Sequence, residues 1–156
     1  MPKPHPFLWF DDQAEAAANF YVSVFPNSKI TGVSRYGEGG AGPAGQVMTI
    51  QFELDGQGFT ALNGGPHFSF NEAVSFVVDC KDQAEVDYYW DKLVDGGAPS
   101  QCGWLKDRYG LSWQIVPSAL PALLGGPDPE KSKRAVQAML KMVKLDIAAL
   151  EAAREG

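Results

Sequence analysis

The sequence predicts an α+β fold in which two βαβββ modules form a cupped mixed sheet and a C-terminal helix follows. Three observations lead to this prediction. The tetrapeptide Asp-Gln-Ala-Glu occurs at 12–15 and again, seventy residues later, at 82–85. Each copy follows a short apolar run and opens a stretch with aromatic side chains at helical spacing. Turn signals and alternating segments then succeed one another in the same order, which indicates a duplicated unit.

The first module is predicted to begin with a strand and continue into a helix over 12–25, with Asp11 or Asp12 as its N-cap. Residues 37–45 are rich in glycine and should form a loop. Together with Tyr36 this loop would act either as a lid or as a simple connection. The strands of this module are predicted at 5–10, 29–36, 47–54 and 59–63.

The second module repeats this order in less space. Its helix is predicted over 82–95, and Gly96-Gly97 closes it as a left-handed C-terminal cap would. After Pro117, apolar residues at helical spacing predict one long helix over 129–154. That helix would either close the cup or bury its apolar stripe against a second copy of the chain. The strands of this module are predicted at 73–79, 98–101, 102–106 and 111–116.

Composition indicates one domain over residues 1–156, with internal modules at about 1–66 and 72–118. The net charge of −6 argues against nucleic acid as a partner, because a phosphate backbone requires a basic surface. The chain has no apolar run long enough for a bilayer and no secretory signal, so no membrane partner is expected. Two cysteines do not make a disulfide framework, so without a secretory signal we expect Cys80 and Cys102 to be reduced thiols in a cytoplasmic protein.

Four segments carry a family resemblance that extends over nearly the whole chain, and the third of them is the most specific. The two βαβββ modules resemble the vicinal oxygen chelate superfamily, which includes glyoxalase I, bleomycin-resistance proteins and extradiol dioxygenases. More closely, the chain resembles the PhnB-like branch, often labelled "3-demethylubiquinone 3-methyltransferase". The four segments are residues 6–11 (PFLWFD), 20–21 (FY), 102–114 (CGWLKDRYGLSWQ) and 142–146 (MVKLD).

The resemblance implies a divalent metal as cofactor, held in the cup by a His or Gln from each first strand and a Glu from each last strand. The seventy-residue shift places His5 opposite Ser75 on the first strands. Gln114 stands where the family carries its second Glu, and Leu62 or Asn63 is the expected counterpart in the first module. Without a carboxylate, a metal site formed by His5 and Gln114 would be degenerate.

Aromatic and polar residues also suit a cup that binds a small molecule without metal chemistry. Side chains two apart on a strand share a face, so Phe7 and Trp9 should point into the cup. Trp104 adds a third flat surface, and Trp113 should point away from the neighbouring amide. Arg108 beside Asp107 would either hold an anionic group or form a surface pair in a turn. The candidate ligand-binding residues are Phe7, Trp9, Asn63, Ser75, Trp104, Arg108 and Gln114.

The leading hypothesis is therefore a small-molecule-binding protein whose ligand lies in the cup between the modules. The alternative is a metal-dependent lyase, isomerase or dioxygenase that uses His5 and Gln114. A structural or oligomeric role is a third possibility, and the resemblance implies a homodimer. Methyl transfer finds no support, because the only glycine-rich stretch, 37–45, lies between two predicted strands and not at a strand-to-helix turn.

Overall fold

The chain folds into two four-stranded mixed sheets, each with its own helix. The computed structural model describes residues 2–156, and these residues divide into two units between Phe70 and Asn71. Each unit has the element order βαβββ, and the second continues into further helices. The predicted fold class is confirmed.

In the first unit, the sheet order is β1-β4-β3-β2, and β1 runs parallel to β4 while the other neighbours are antiparallel. Asp55 and Gly56 both have positive φ in the β3–β4 hairpin, and glycine adopts that conformation without steric cost. The elements are β1 (Phe7–Phe10), α1 (Ala14–Val24), β2 (Ser28–Arg35), β3 (Val47–Leu54) and β4 (Gln57–Asn63).

The core of the first unit lies between α1 and one face of its sheet. Ala14, Ala17 and Ala18 are fully buried on α1, because their small side chains let the helix approach the strands closely. The Phe52 and Phe59 rings stack across β3 and β4 with centroids 5.2 Å apart, and Tyr21 lies over Phe52 at 6.2 Å. We call the opposite face of each sheet, away from the helix of its own unit, the open face.

The second unit arranges its sheet as β5-β8-β7-β6, again with the first strand parallel to the last. None of the helices formed by residues 2–156 has both the length and the apolar character needed to cross a bilayer. The elements are β5 (Ser75–Cys80), α2 (Gln83–Val94), β6 (Ala98–Pro99), β7 (Trp104–Lys106), β8 (Ser112–Pro117), α3 (Leu120–Leu124), α4 (Pro129–Met139) and α5 (Ile147–Glu155).

The prediction of one helix over 129–154 is wrong, because the helix is interrupted between Met139 and Ile147. The carbonyls of Met142 and Val143 accept hydrogen bonds from the backbone amides of residues 102 and 103, which takes this segment out of helical geometry. Asp146 then begins a new helix, since its carboxylate accepts a hydrogen bond from the Ala149 amide at 3.0 Å.

The two copies of the tetrapeptide start their helices differently. Asp82 caps α2 by accepting the Glu85 amide at 2.9 Å, and Glu85 accepts the Lys81 amide at 2.8 Å. The predicted cap of α1 by Asp11 or Asp12 is wrong. The cap comes from the end of β4, where Asn63 Oδ1 accepts the Ala14 amide at 2.8 Å.

Strand register explains this difference. Phe10 pairs with Asn63 in the first unit, and Cys80, seventy residues later, pairs with Pro117 in the second. Proline carries no amide oxygen in its side chain that could cap a helix, so α2 depends on its own Asp82.

Candidate functional site

Polar side chains line the open face of the first sheet. His5 precedes β1, and its Nε2 lies 3.2 Å from Thr60 Oγ1 on β4. On the neighbouring strands, Thr49 Oγ1 lies 2.6 Å from Ser34 Oγ and 3.5 Å from Gln51 Nε2. Because alternate residues share a face, these groups all lie away from the core under α1.

A cavity of about 350 Å³ opens on this face, where β1 and β4 begin. His5, Gln51 and Thr60 line it with hydrogen-bonding groups. Lys3 and Glu53 add charges of opposite sign to its wall. This combination suits a small polar molecule that both donates and accepts hydrogen bonds.

The open face of the second sheet carries a similar polar pair. Gln114 Nε2 donates to Ser75 Oγ at 2.9 Å, and Trp104 is the register partner of Gln114 on β7. Ser112, two residues before Gln114, is only 1% exposed, and its hydroxyl finds no hydrogen-bond partner among residues 2–156. Lys106, the register partner of Ser112, forms an ion pair with Glu72, and its hydrogen bond lowers the pKa of the Glu72 carboxyl.

The two polar pairs occupy corresponding positions. Phe7 pairs with Thr60, and its counterpart Val77 pairs with Gln114, so Thr60 corresponds to Gln114. Since His5 likewise corresponds to Ser75, the His5–Thr60 contact is the first-unit equivalent of the Gln114–Ser75 hydrogen bond.

The expectation that Leu62 or Asn63 is the counterpart of Gln114 is therefore wrong. Asn63 is 5% exposed and lies on the α1 side of the sheet. Its side chain accepts from Ala14 and donates to the Val47 carbonyl at 3.0 Å. Thr60 could have been found only through the register of β1 against β4, which spacing in the sequence leaves undetermined.

The donor set at these positions does not fit a divalent metal. In the first unit the donors are the imidazole of His5 and the hydroxyl of Thr60, and in the second unit they are the hydroxyl of Ser75 and the amide of Gln114. Neither pair includes a carboxylate that would balance the charge of a divalent cation. Within residues 2–156, no group of three or more His, Cys, Asp and Glu residues is arranged to hold a metal ion.

The predicted aromatic residues divide between exposed and packed positions. Phe7 is 57% exposed at the start of β1. Trp9 is half-buried, and its Nε1 donates to the Gly65 carbonyl at 2.9 Å. The Trp9 and Phe68 rings lie edge to face, with their centroids 4.8 Å apart. Trp104 is also half-buried, whereas Trp113 lies in the core on the other face of its sheet, as strand alternation predicts.

Asp107 organises the turn before β8. The carboxylate is 2% exposed and accepts hydrogen bonds from the amides of Tyr109 and Leu111 and from Trp113 Nε1, at 2.8 to 3.1 Å. The neighbouring Arg108 donates to the backbone carbonyl and the carboxylate of Asp95, both at 3.2 Å. Both side chains of this predicted surface pair thus make contacts within the second unit.

The cysteines differ in their surroundings. Burial raises the pKa of the Cys80 thiol to about 12, so this side chain stays a neutral core thiol. Cys102 is partly exposed, and its Sγ lies 3.5 Å from the Met139 carbonyl. Neither residue belongs to the two polar pairs.

Residues 2–116 match the family model described as 3-demethylubiquinone-9 3-methyltransferase. The chain belongs to this family. A PhnB protein from Bacillus cereus, named as a candidate 3-demethylubiquinone-9 3-methyltransferase, is 38% identical with a TM-score of 0.69. The match covers 74% of the present chain and 99% of that protein. No curated protein matches the chain.

More distant solved structures share the fold of this PhnB-like chain. A Pseudomonas aeruginosa protein is 16% identical, with a TM-score of 0.63 over 75% of this chain and 98% of that one. The fosfomycin resistance protein FosX from Listeria monocytogenes is 15% identical, with a TM-score of 0.54 over 80% and 98% of the two chains. These are similarities of fold, and they agree with the two-module fold that the sequence predicts.

Proposed function

We propose that this PhnB-like protein binds a small polar organic molecule through the open faces of its sheets, without a metal ion at the positions that the superfamily uses for one. The observation that carries the proposal is the pair of equivalent contacts, His5 with Thr60 and Ser75 with Gln114. On the last strands, the neutral side chains of Thr60 and Gln114 stand at the positions where the superfamily carries carboxylates. Such groups orient a ligand and supply no charge to balance a metal.

The cavity beside His5 supports the first part of this site. Its volume of about 350 Å³ falls within the range typical of small-molecule pockets. Gln51 and Thr60 would contact the polar groups of the ligand, while the exposed Phe7 and the half-buried Trp9 would supply flat apolar surface.

In the second unit, Ser75, Gln114 and Trp104 are the proposed ligand contacts. Asn63 and Arg108 take no part in this refined proposal. The Asn63 side chain bonds α1 and β3, and the Arg108 guanidinium bonds Asp95.

Native mass spectrometry of the purified protein, followed by ligand-observed NMR with the molecules recovered, tests the proposal. We expect a bound species below about 1 kDa, whose affinity falls about tenfold in Thr60→Val because one hydrogen bond is lost. Thr49→Val is the matched control, since Thr49 lies on the same face but outside the lining of the cavity. Equal affinity in the Thr60 and Thr49 variants would place the ligand elsewhere.

Metal titration by calorimetry, together with elemental analysis, tests the proposal that no metal ion binds at these positions. We expect no stoichiometric binding of Zn²⁺, Ni²⁺ or Mn²⁺ that depends on His5. If stoichiometric metal were present and His5→Ala abolished it, the lyase, isomerase or dioxygenase alternative would replace the present proposal.

Methyl transfer is outside the proposal, although the family model carries that name. The glycines of residues 37–45 connect β2 to β3, whereas a nucleotide-type cofactor usually sits at a strand-to-helix turn. Calorimetry with S-adenosylmethionine should therefore give no saturable heat. Clear saturation would reverse this interpretation.

We also propose that the protein forms a homodimer, with the C-terminal helices of the second unit as one contributor. Leu140 is 59% exposed and Val143 is 41% exposed in the segment between α4 and α5, whereas Leu145 is fully buried. Light scattering should give twice the monomer mass, and a monomer at micromolar concentration would exclude pairing.

A further inference from the structure

A second cavity, of about 380 Å³, lies in the first unit where β1 and β4 end. It shares no lining residue with the cavity beside His5, which lies where the same two strands begin. Ends of parallel strands are common places for ligands, because the chain leaves the sheet there and exposes polar groups. The lining includes Asp11, Asp12, Tyr36, Gln46 and His67.

The glycine-rich loop forms one wall of this second cavity. The loop is closed at its base, where the Tyr36 amide donates to the Gln46 carbonyl at 2.9 Å and the Gly45 amide donates to the Tyr36 carbonyl at 2.8 Å. The Tyr36 hydroxyl donates to the Asn63 carbonyl at 2.5 Å and so ties the loop to β4. Gly42 packs directly on the Tyr36 ring, where any Cβ would overlap ring atoms.

The Asp, Glu, Lys and Arg residues that belong to the described lining of the second cavity are all acidic. Asp11 and Asp12 contribute two acidic side chains to the lining. Among residues 2–156, no Lys or Arg belongs to the lining. His67 and Gln46 add hydrogen-bonding groups, and Pro43 and Pro66 add apolar surface.

Asp12 does not cap its helix, unlike its counterpart Asp82. Asp82 uses its carboxylate to cap α2, whereas Asn63 caps α1 and Asp12 is one of the residues that line the cavity. The Asp12 side chain therefore adds negative charge to the cavity at a position where helix capping does not require it.

We propose that the second cavity binds a small organic cation of the amine, amidine or guanidine class. A planar cation can donate hydrogen bonds to the two carboxylates while its apolar part lies against the prolines and Tyr36. A metal ion is a poorer fit, since the described residues provide no cluster of three or more acidic, His or Cys ligands there. This inference is independent of the function proposed for the open faces.

Benzamidinium and benzamide are suitable probes, because they share shape and differ in charge. In two-dimensional NMR titrations, benzamidinium should shift the amide signals of Asp11, Asp12, Gly64 and Gly65, and benzamide should bind at least about tenfold more weakly. Equal affinity for the two probes, or shifts confined to other residues, would overturn the proposal.

Asp12→Asn provides the decisive variant. It should weaken benzamidinium binding about fivefold to tenfold and leave the unfolding transition unchanged, because α1 is capped by Asn63. Asp55→Asn is the matched control, since Asp55 lies in the β3–β4 turn outside the lining. If both variants weakened binding equally, the effect would be long-range charge and the assigned site would be wrong.

Discussion

The two units share strand order, strand register and a tetrapeptide, yet they use the shared residues differently. In the first unit, Asn63 at the end of β4 caps the helix and Asp12 faces a cavity. In the second unit, Pro117 stands at the position of Asn63, and Asp82 caps its own helix. The comparison teaches that the residue at the end of the last strand can decide what each copy of a repeated motif does.

The polar pairs on the open faces show the complementary case. The contact between the first and last strands is present in both units, although the groups change from imidazole and hydroxyl to hydroxyl and amide. Geometry is thus shared where chemistry differs, and the units should respond differently to the same kind of substitution.

The largest expected effect concerns the turns that precede the last strands. Asp107→Ala should lower the free energy of unfolding by about 3 kcal/mol, because three N–H donors lose a buried acceptor. Urea unfolding followed by circular dichroism measures it. In the first unit, Asp55→Asn should change stability by less than about 0.5 kcal/mol, since Asn tolerates positive φ. Similar losses in both variants would contradict this difference between the turns.

The second largest expected effect on the free energy of unfolding concerns helix capping, which differs between the two units. Asn63→Ala should cost about 2 kcal/mol, because the Ala14 amide and the Val47 carbonyl both lose their partner in a buried place. Asp82→Ala should cost about 1 kcal/mol, as expected for an exposed N-cap. Asp12→Ala should be close to neutral. Equilibrium unfolding in urea gives the three values, and a cost for Asp12→Ala equal to that of Asp82→Ala would refute the comparison.

At Ser112 we expect a substitution to raise the free energy of unfolding, in contrast to the losses above. Its buried hydroxyl lacks a partner among the described residues, whereas Gly58 stands at the corresponding position of the first unit. Ser112→Ala should therefore raise the free energy of unfolding by about 1 kcal/mol. The thermal midpoint from calorimetry reports the change, and a clear loss of stability would mean that the hydroxyl has a partner in solution.

The smallest expected effect concerns the ion pair between Lys144 and Asp87, which lies beside the glutamine of the second tetrapeptide. Gln83 joins α2 to the segment before α5 by bonding the Leu145 carbonyl and the Ile147 amide, and Lys144 adds a 2.7 Å ion pair with Asp87. The hydrogen bond from Lys144, followed by that from Gln83, lowers the pKa of Asp87 from its usual value.

The stabilising contribution of Asp87 is present above its unfolded pKa and is lost as the pH falls through the lower folded value. The hydrogen bond with Asp87 is the main cause that raises the pKa of Lys144 above its usual value, so the stabilising contribution of Lys144 is lost only as the pH rises through that raised pKa. Carbon NMR should find an Asp87 midpoint below the usual value of an aspartate, and this midpoint should move upward in Lys144→Met. An unchanged midpoint would show that the ion pair does not form.

Local patterns were enough to predict the element order of the two βαβββ units and the faces of their strands, but not α3 or the division of the C-terminal helix into α4 and α5. Alternation placed Trp113 away from Gln114, and the repeated tetrapeptide located both helices. Interactions between distant residues were not accessible in this way. The Asn63 cap spans 49 residues, and the carbonyls that interrupt the C-terminal helix bond to residues 102 and 103. Likewise, Thr60 became the partner of His5 only once the parallel register of β1 and β4 was known.

The long-range cap on α1 also has a consequence for the order of folding. The first turn of α2 is completed by residues 81–85 alone, so it can form as soon as that short segment exists. The first turn of α1 must wait until β4 has closed a loop of 49 residues, and longer loops close at a greater entropic cost. When the full-length unfolded chain refolds, the start of α2 therefore needs only contacts within one short segment, whereas the start of α1 needs a contact between residues 49 apart.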